Sequence, residues 1–160
     1  MKKILIVDDS QDMRDSLQAI LEENGFEAIT AYNSESALKG LAEGKPDLIL
    51  MDVMMDSEQE GFEIVNELKN KKEYSDIPVI IVSGIEVFTC SQAAAEIAIE
   101  MRKEFEYHNM NVIVLKDALG NTGIDYISEQ TGKSVFLNVK GFHAKPVFPE
   151  RLLDLINKFI

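Results

Sequence analysis

Proline and glycine are scarce in this chain, four and nine of 160 residues, so no long flexible linker divides it. A chain of this length then fits one domain with a good-sized core. Cys90 is the single cysteine. It excludes an internal disulfide, suits a reducing compartment, and reads as a small apolar filler near a helix start. No apolar run is long enough to span a membrane. Met1-Lys2-Lys3 followed by Ile4-Leu5-Ile6-Val7 resembles the start of a secretion signal. The run stops at Asp8-Asp9 after four residues, too short for a signal core or a span. Basic residues are also in deficit, 16 against 28 acidic, for a net charge of −12. An acidic surface repels phosphate backbones and anionic lipid, so neither direct nucleic-acid binding nor membrane association is expected. Most of this charge serves solubility. These absences together predict a cytoplasmic protein.

What is present has a regular rhythm. Ile4 to Val7 is continuously apolar, the pattern of a strand covered on both faces of a parallel sheet. Met13, Leu17, Ile20 and Leu21 then recur at helical spacing, and Asn24-Gly25 supplies a stop. Phe26 to Ala31 reads as a more polar strand, at an edge. Ser34 opens a short helix carrying Ala37, Leu38 and Leu41 and ending at Gly44. Asp47 to Asp52 is a third strand, and Phe62, Val65 and Leu68 mark the next helix. Pro78 opens a fourth strand, Val79 to Val82, which ends at Ser83-Gly84. Pro149 opens a closing helix with Leu152, Leu155, Ile156 and Phe159. Alternating strands and helices with short connections predict an α/β fold with a parallel sheet and right-handed crossovers.

Residues 85–141 break the rhythm. A helix and its two loops need roughly 20 residues at this point, and the segment is far longer. Ser91 to about Tyr107 has helical spacing, with Ala94, Ile97, Ala98, Met101 and Phe105 on one side. Asn111 to Leu115 and Val135 to Val139 have strand character. Gly120-Asn121-Thr122-Gly123 lies between them. The segment reads as a helix plus an inserted excursion, approximately residues 110–140, packed on or beside the sheet within one domain spanning 1–160.

In an open parallel sheet, functional groups gather at the carboxyl ends of the strands. Asp8 and Asp9 end the first strand, Asp52 the third and Ser83 the fourth, while Lys145 would end the last. Three carboxylates in one pocket repel each other and raise each other's pKa values. A hard divalent cation relieves that conflict, and Mg²⁺ takes one or two carboxylates while keeping several waters. The same ion can hold a phosphoryl donor and offset charge on its oxygens. One carboxylate is then left as a nucleophile, giving an aspartyl phosphate. A lysine and a hydroxyl complement the oxygens of such a group.

The segments Ile4-Leu5-Ile6-Val7-Asp8-Asp9, Asp47 to Met55, Ile77 to Gly84 and Lys145-Pro146 resemble, in order, the receiver domains of two-component response regulators. The resemblance covers residues 1–84 and 142–160. It implies a flavodoxin-like, doubly wound, five-stranded parallel sheet in the order 2-1-3-4-5, with the insertion before the last strand. By the same resemblance Asp52 is the phospho-acceptor, Asp9 a direct metal ligand and Asp8 a ligand acting largely through water. The Met54 backbone carbonyl completes the protein ligands. Ser83 is the switch hydroxyl, Lys145 the phosphate-binding lysine, often before a cis proline, and Phe142 the rotating aromatic. The implied activity is Mg²⁺-dependent phosphoryl transfer from a sensor histidine kinase or phosphotransfer protein, switching a surface for a downstream protein target. No catalysis is implied beyond self-phosphorylation and autodephosphorylation on Asp52. This chain departs from the family in Asp56, where proline is usual, in a loop one residue longer between Asp52 and Gly61, and in the insertion. Met51 to Asp56, Glu60-Gly61-Phe62, Thr122 to Tyr126 and Leu137-Asn138-Val139 are similar to a subgroup of single-domain receivers.

Rival readings are weaker. Lys116 could be the phosphate lysine, but it lacks the following proline and the aromatic three residues before. Gly132-Lys133-Ser134 lacks the earlier glycine of a nucleotide-binding loop. Asp8 and Asp9 alone could be helix-capping acids. Phe142 could equally be a packed core aromatic. His108 and His143 have no ligand spacing, and His143 should face away from Phe142. The chain closes at Ile160 with no output domain in view, so output is expected through protein contacts or phosphorelay. Two other functional classes remain, a phosphorylation-independent receiver-like adaptor and a phosphohydrolase with an aspartate nucleophile.

Overall fold

Runs such as Leu48-Ile49-Leu50-Met51 have no polar face, so they are stable as strands only when helices cover both sides of the sheet. The computed structural model, which describes residues 1–53, 60–85 and 87–160, with residue 60 as backbone only, has that arrangement. In chain order the elements are β1 (Lys3–Val7), α1 (Gln11–Glu23), β2 (Glu27–Ala31), α2 (Ser34–Glu43), β3 (Leu48–Met51), α3 (Glu60–Asn70), β4 (Val79–Ser83), β5 (Val87–Cys90), α4 (Ala94–Lys103), β6 (Val112–Asp117), β7 (Thr122–Ile127), β8 (Ser134–Val139), β9 (Gly141–Ala144) and α5 (Pro149–Asn157). They divide into two compact units, Met1–Gly84 with Phe142–Ile160, and Ile85–Gly141.

The first unit is a doubly wound, five-stranded parallel sheet in the order β2-β1-β3-β4-β9, as expected, with β9 as its fifth strand. The polar strand β2 lies at the edge. Ile4 pairs with Leu48 and Ala28, and Leu50 with Ile80, all in parallel register. Alternate side chains point to opposite faces. Ile4, Ile6, Leu48, Leu50, Ile80 and Val82 therefore share one face, where they pack with Leu17 and Leu21 of α1 and Leu152 and Ile156 of α5. Leu5 faces the other way, toward Gly40 of α2. The stop at Asn24-Gly25 follows its sequence signal, whereas α2 is capped by Asn33, with Ser34 as its first helical residue. Ser10 caps α1 by accepting from the Met13 N–H at 3.3 Å. Gly25 has φ +83°, and the Gly25 and Phe26 N–H groups donate to the carbonyls of Glu22 and Leu21. A left-handed residue just past a helix favours glycine because it has no Cβ.

The second unit is a four-stranded sheet in the order β5-β6-β7-β8. The β5–β6 pairing is parallel; β6–β7 and β7–β8 are antiparallel. Ala94 and Ala98 of α4 pack with Ile113 and Leu115, flanked by Phe88, Ile97, Met101 and Phe136. This unit is longer than the excursion drawn from sequence at 110–140, since it also takes in β5 and α4. Cys90 ends β5 shortly before α4 and packs against the α4 cluster, as a small apolar filler near a helix start should. Arg102, near the end of α4, donates from Nε to Asp125 Oδ1 at 2.6 Å and from Nη2 to the Asp125 carbonyl at 3.1 Å. Its Nη1 reaches the carbonyls of Tyr107 and Met110. Burial raises the Asp125 pKa, and Arg102 opposes that rise. Gly132-Lys133-Ser134 belongs to the β7–β8 connection, closed by Ser128 N–H to the Lys133 carbonyl at 2.9 Å. A hairpin turn in that place is not a phosphate loop between a strand and a helix.

Gly123 on β7 lies under the Phe136 ring. A Cβ there would collide with that ring and sit 3.3 Å from the Ala94 Cβ. Gly123→Ala should therefore destabilise the second unit by about 1–3 kcal/mol. Native-state hydrogen exchange should show the loss in the β6–β8 amides, with β1, β3 and β4 retaining their protection.

Candidate functional site

The parallel register brings the carboxyl ends of β1, β3, β4 and β9 to one rim, where the side chains of Asp8, Asp9, Asp52 and Lys145 meet. Asp8 and Asp52 are 1% and 4% exposed, and the Asp52 N–H donates to the Val7 carbonyl at 2.9 Å. That bond ties the end of β3 to the end of β1. Carboxylate oxygens of Asp8, Asp9 and Asp52 lie within 4.8 Å of one another. Lys145 follows β9, and its N–H donates to the Ser83 carbonyl at 3.0 Å. Its ammonium donates to Asp8 Oδ2 at 3.0 Å and to Asp52 Oδ2 at 3.1 Å. The Lys145-Pro146 bond is cis. Lys116 instead lies on β6 of the four-stranded sheet.

The electrostatics follow from burial and spacing. Burial raises the Asp8 pKa, and the nearby Asp52 charge adds to this. The Ser10 N–H at 2.9 Å and the Lys145 ammonium oppose it without cancelling it. Burial opposes the charge on Lys145, but hydrogen bonds and charges from Asp8 and Asp52 outweigh it and hold the ammonium above its usual pKa. Three carboxylates and one ammonium leave a formal charge of −2, which suits a hard divalent cation with oxygen ligands. Asp8 and Asp9 are not the helix caps of α1, a part taken by Ser10.

Ser83 is fully buried, and its Oγ has no hydrogen-bond partner among the described residues. An orphaned buried hydroxyl is costly unless it serves a ligand or a second state. Phe142 is half-buried on β9 and His143 is buried on the alternate side, as expected from strand alternation. Met54 lies outside the described residues. Two participants carried no sequence signal. Arg14 donates from Nη1 to the Asp8 carbonyl at 2.8 Å, with its guanidinium 5.8 Å from the Tyr32 ring centre. His143 Nε2 accepts from the Phe148 N–H at 3.1 Å. Both contact backbone groups, which no motif encodes.

Fold and site together define a doubly wound α/β domain with an acidic rim at the carboxyl ends of its strands. Residues 4–104 match the response regulator receiver domain family, and the chain belongs to that family. A putative NtrX-like response regulator of Rickettsia bellii is 43% identical over 82 residues, 51% of this chain but 17% of that protein. Protein PilH of Pseudomonas aeruginosa is 40% identical over 83 residues, 52% of this chain and 68% of PilH. The chain therefore matches only a small part of the first relative and about two thirds of the second. In the fold comparison, the response regulator TrrA of Thermotoga maritima, solved in complex with Mg²⁺ and BeF, superposes with a TM-score of 0.61. Its identity is 22%, with 100% of both chains covered, so that likeness supports the fold alone. No helix among the described residues is long and apolar enough to cross a membrane.

A raised Asp8 pKa means that the folded state binds the proton more tightly than the unfolded state does. The stability tied to the protonated form is present below the unfolded value of 3.8 and lost as pH rises through the folded pKa. At pH 7 the Asp8 charge is therefore a net cost. Asp8→Asn should raise stability by on the order of 1 kcal/mol at pH 7, with the gain shrinking as pH falls below the carboxylate range. Denaturant midpoints of both proteins across pH 3–8 check this.

Proposed function

We propose that this chain is a phospho-accepting receiver in which Asp52 takes a phosphoryl group from a phosphohistidine of a sensor kinase or phosphotransfer protein. The observation that carries the reading is the Lys145 ammonium bridging Asp8 and Asp52, with the buried Ser83 hydroxyl at the end of the neighbouring strand β4. Asp8, Asp9 and Asp52 fit a Mg²⁺ ion by donor type and net charge, with the Met54 carbonyl as a further candidate ligand. When bound, that ion would offset charge on the phosphoryl oxygens. The residues of the chain supply the remaining chemistry. An Asp52 carboxylate oxygen bonds to phosphorus as the P–N bond of the donor breaks, the electron pair leaving with the imidazole nitrogen. Lys145 lies within reach of the product's oxygens, and Ser83 can donate to one of them.

The product carries roughly two negative charges where Asp52 carried one. Lys145 then gains a stronger partner and Ser83 an acceptor that it lacks among the described residues, and the change biases a two-state surface that includes Phe142. In this reading catalysis stops at self-phosphorylation and autodephosphorylation, and the output is a protein contact in the cytoplasm. The intact acidic set disfavours a phosphorylation-independent adaptor, which has no use for three buried or half-buried carboxylates around a lysine.

Incubation with acetyl phosphate and Mg²⁺, followed by intact-mass spectrometry, tests the reading. The wild type should gain one phosphoryl group per chain, removable by hydroxylamine as an acyl phosphate must be. Asp52→Asn should gain none. Equal labelling of Asp52→Asn would contradict the assignment, and rapid multiple turnover of small phosphate esters would favour a hydrolase.

A further inference from the structure

How well the Lys145 ammonium is held between two carboxylates depends on how firmly the backbone that carries it is fixed on each side. On one side the sheet holds it, through the Lys145 N–H to the Ser83 carbonyl. On the other the chain passes through the cis Lys145-Pro146 bond and enters α5, whose N-cap is Phe148. In a capping box the third residue of the helix accepts from the N–H of the N-cap residue. Asn33 and Ser36 form such a box at α2. In α5 the third residue is Arg151, which has donors only, and Phe148 offers no side-chain cap. The guanidinium of Arg151 lies instead over the Phe148 ring, 5.2 Å from its centre.

The missing acceptor comes from the strand. His143 is 7% exposed, and its Nε2 lies 3.1 Å from the Phe148 nitrogen. The bond closes residues 143–148 into a loop with Lys145 inside it. It requires a neutral ring with its proton on Nδ1. Burial first, and then the charge of Arg151, hold the His143 pKa below its ordinary value, which keeps the ring neutral at pH 7. Arg151 is the charged group that bears on this ring from α5 among the described residues.

We propose that His143 is a positioning residue for Lys145. It replaces the absent helix-capping acceptor of α5 and fixes the loop that aims the ammonium at Asp8 and Asp52. Its predicted effect on ligand binding rests on the phospho-acceptor reading above; its effect on Lys145 does not.

Two variants of the full chain separate acceptor chemistry from packing. His143→Gln retains an acceptor at the position of Nε2, and His143→Leu removes it at similar volume. At one fixed pH, NMR reads the Lys145 Cε resonance and the exchange rate of the Phe148 amide. Titration with Mg²⁺ and beryllofluoride reads affinity for a phosphoryl mimic. His143→Leu should move the Lys145 resonance, speed Phe148 exchange about tenfold and weaken beryllofluoride about tenfold, each the size of one lost hydrogen bond. His143→Gln should stay near wild type in all three. Wild-type values in His143→Leu would overturn the proposal, as would a His143→Gln variant impaired as far as the leucine variant. If no form binds beryllofluoride while the Lys145 resonance still moves only in His143→Leu, the positioning role stands and the phospho-acceptor reading falls. Should His143→Leu not fold, the wild-type ring decides together with the glutamine variant. Nitrogen shifts showing a proton on Nε2 would overturn the proposal, and an unprotonated Nε2 with wild-type behaviour in His143→Gln would uphold it.

Discussion

Carboxylates packed within 4.8 Å of one another repel strongly where little water is left to screen them, and a fold that gathers three must supply a cation. Lys145 is that cation in the protein itself, bridging Asp8 and Asp52. It comes from the far end of the sequence, so the bridge also pins the last strand of the sheet to the first and third. The site and the sheet therefore depend on each other. Parallel pairing places the three acids and the lysine at one rim, and the Lys145 contacts to Asp8 and Asp52 offset part of the repulsion between them. The residual charge of −2 is the part that the protein leaves uncompensated.

Such an arrangement suits a switch. A site fully neutralised by its own side chains would have little affinity for a metal or a phosphoryl group. One with no internal cation would cost more stability than a domain of this size can spare. The Ser83 hydroxyl fits the same logic. It is buried with no hydrogen-bond partner among the described residues, and a new acceptor beside it would reward a shift of the backbone around it. In the proposed reading, a phosphoryl group on Asp52 would be felt on two further strands, β4 through Ser83 and β9 through Lys145.

Much of this was legible in the sequence. The strands β1, β3 and β4 are buried on both faces, so they appear as unbroken apolar runs, and each ends in a reactive side chain. The rule that ligands collect at the carboxyl ends of parallel strands places these side chains at one rim from the sequence alone. The second unit was only partly legible. Strand β7 was hidden because Thr122-Gly123 belongs to a glycine-containing stretch and Asp125 interrupts the apolar pattern. Gly123 is there because Phe136 covers it, and Asp125 can be buried in a strand because Arg102 meets it from α4. Strand β5 has four residues, ending in Thr89 and Cys90, too short for a periodic signal. Arg14 and His143 act on backbone carbonyl and amide groups, so nothing in their spacing announced them.

The central claim is that one ion-sized hollow is shared by Asp8, Asp9 and Asp52, with Lys145 at its edge. A Mg²⁺ titration followed through the side-chain carboxyl carbons of these aspartates and the Cε of Lys145 tests it most directly. The account predicts that all four signals move together along one saturating curve, with one ion bound per chain. Signals that titrate at separate concentrations, or an Asp52 carboxyl that stays still while the others move, would contradict it.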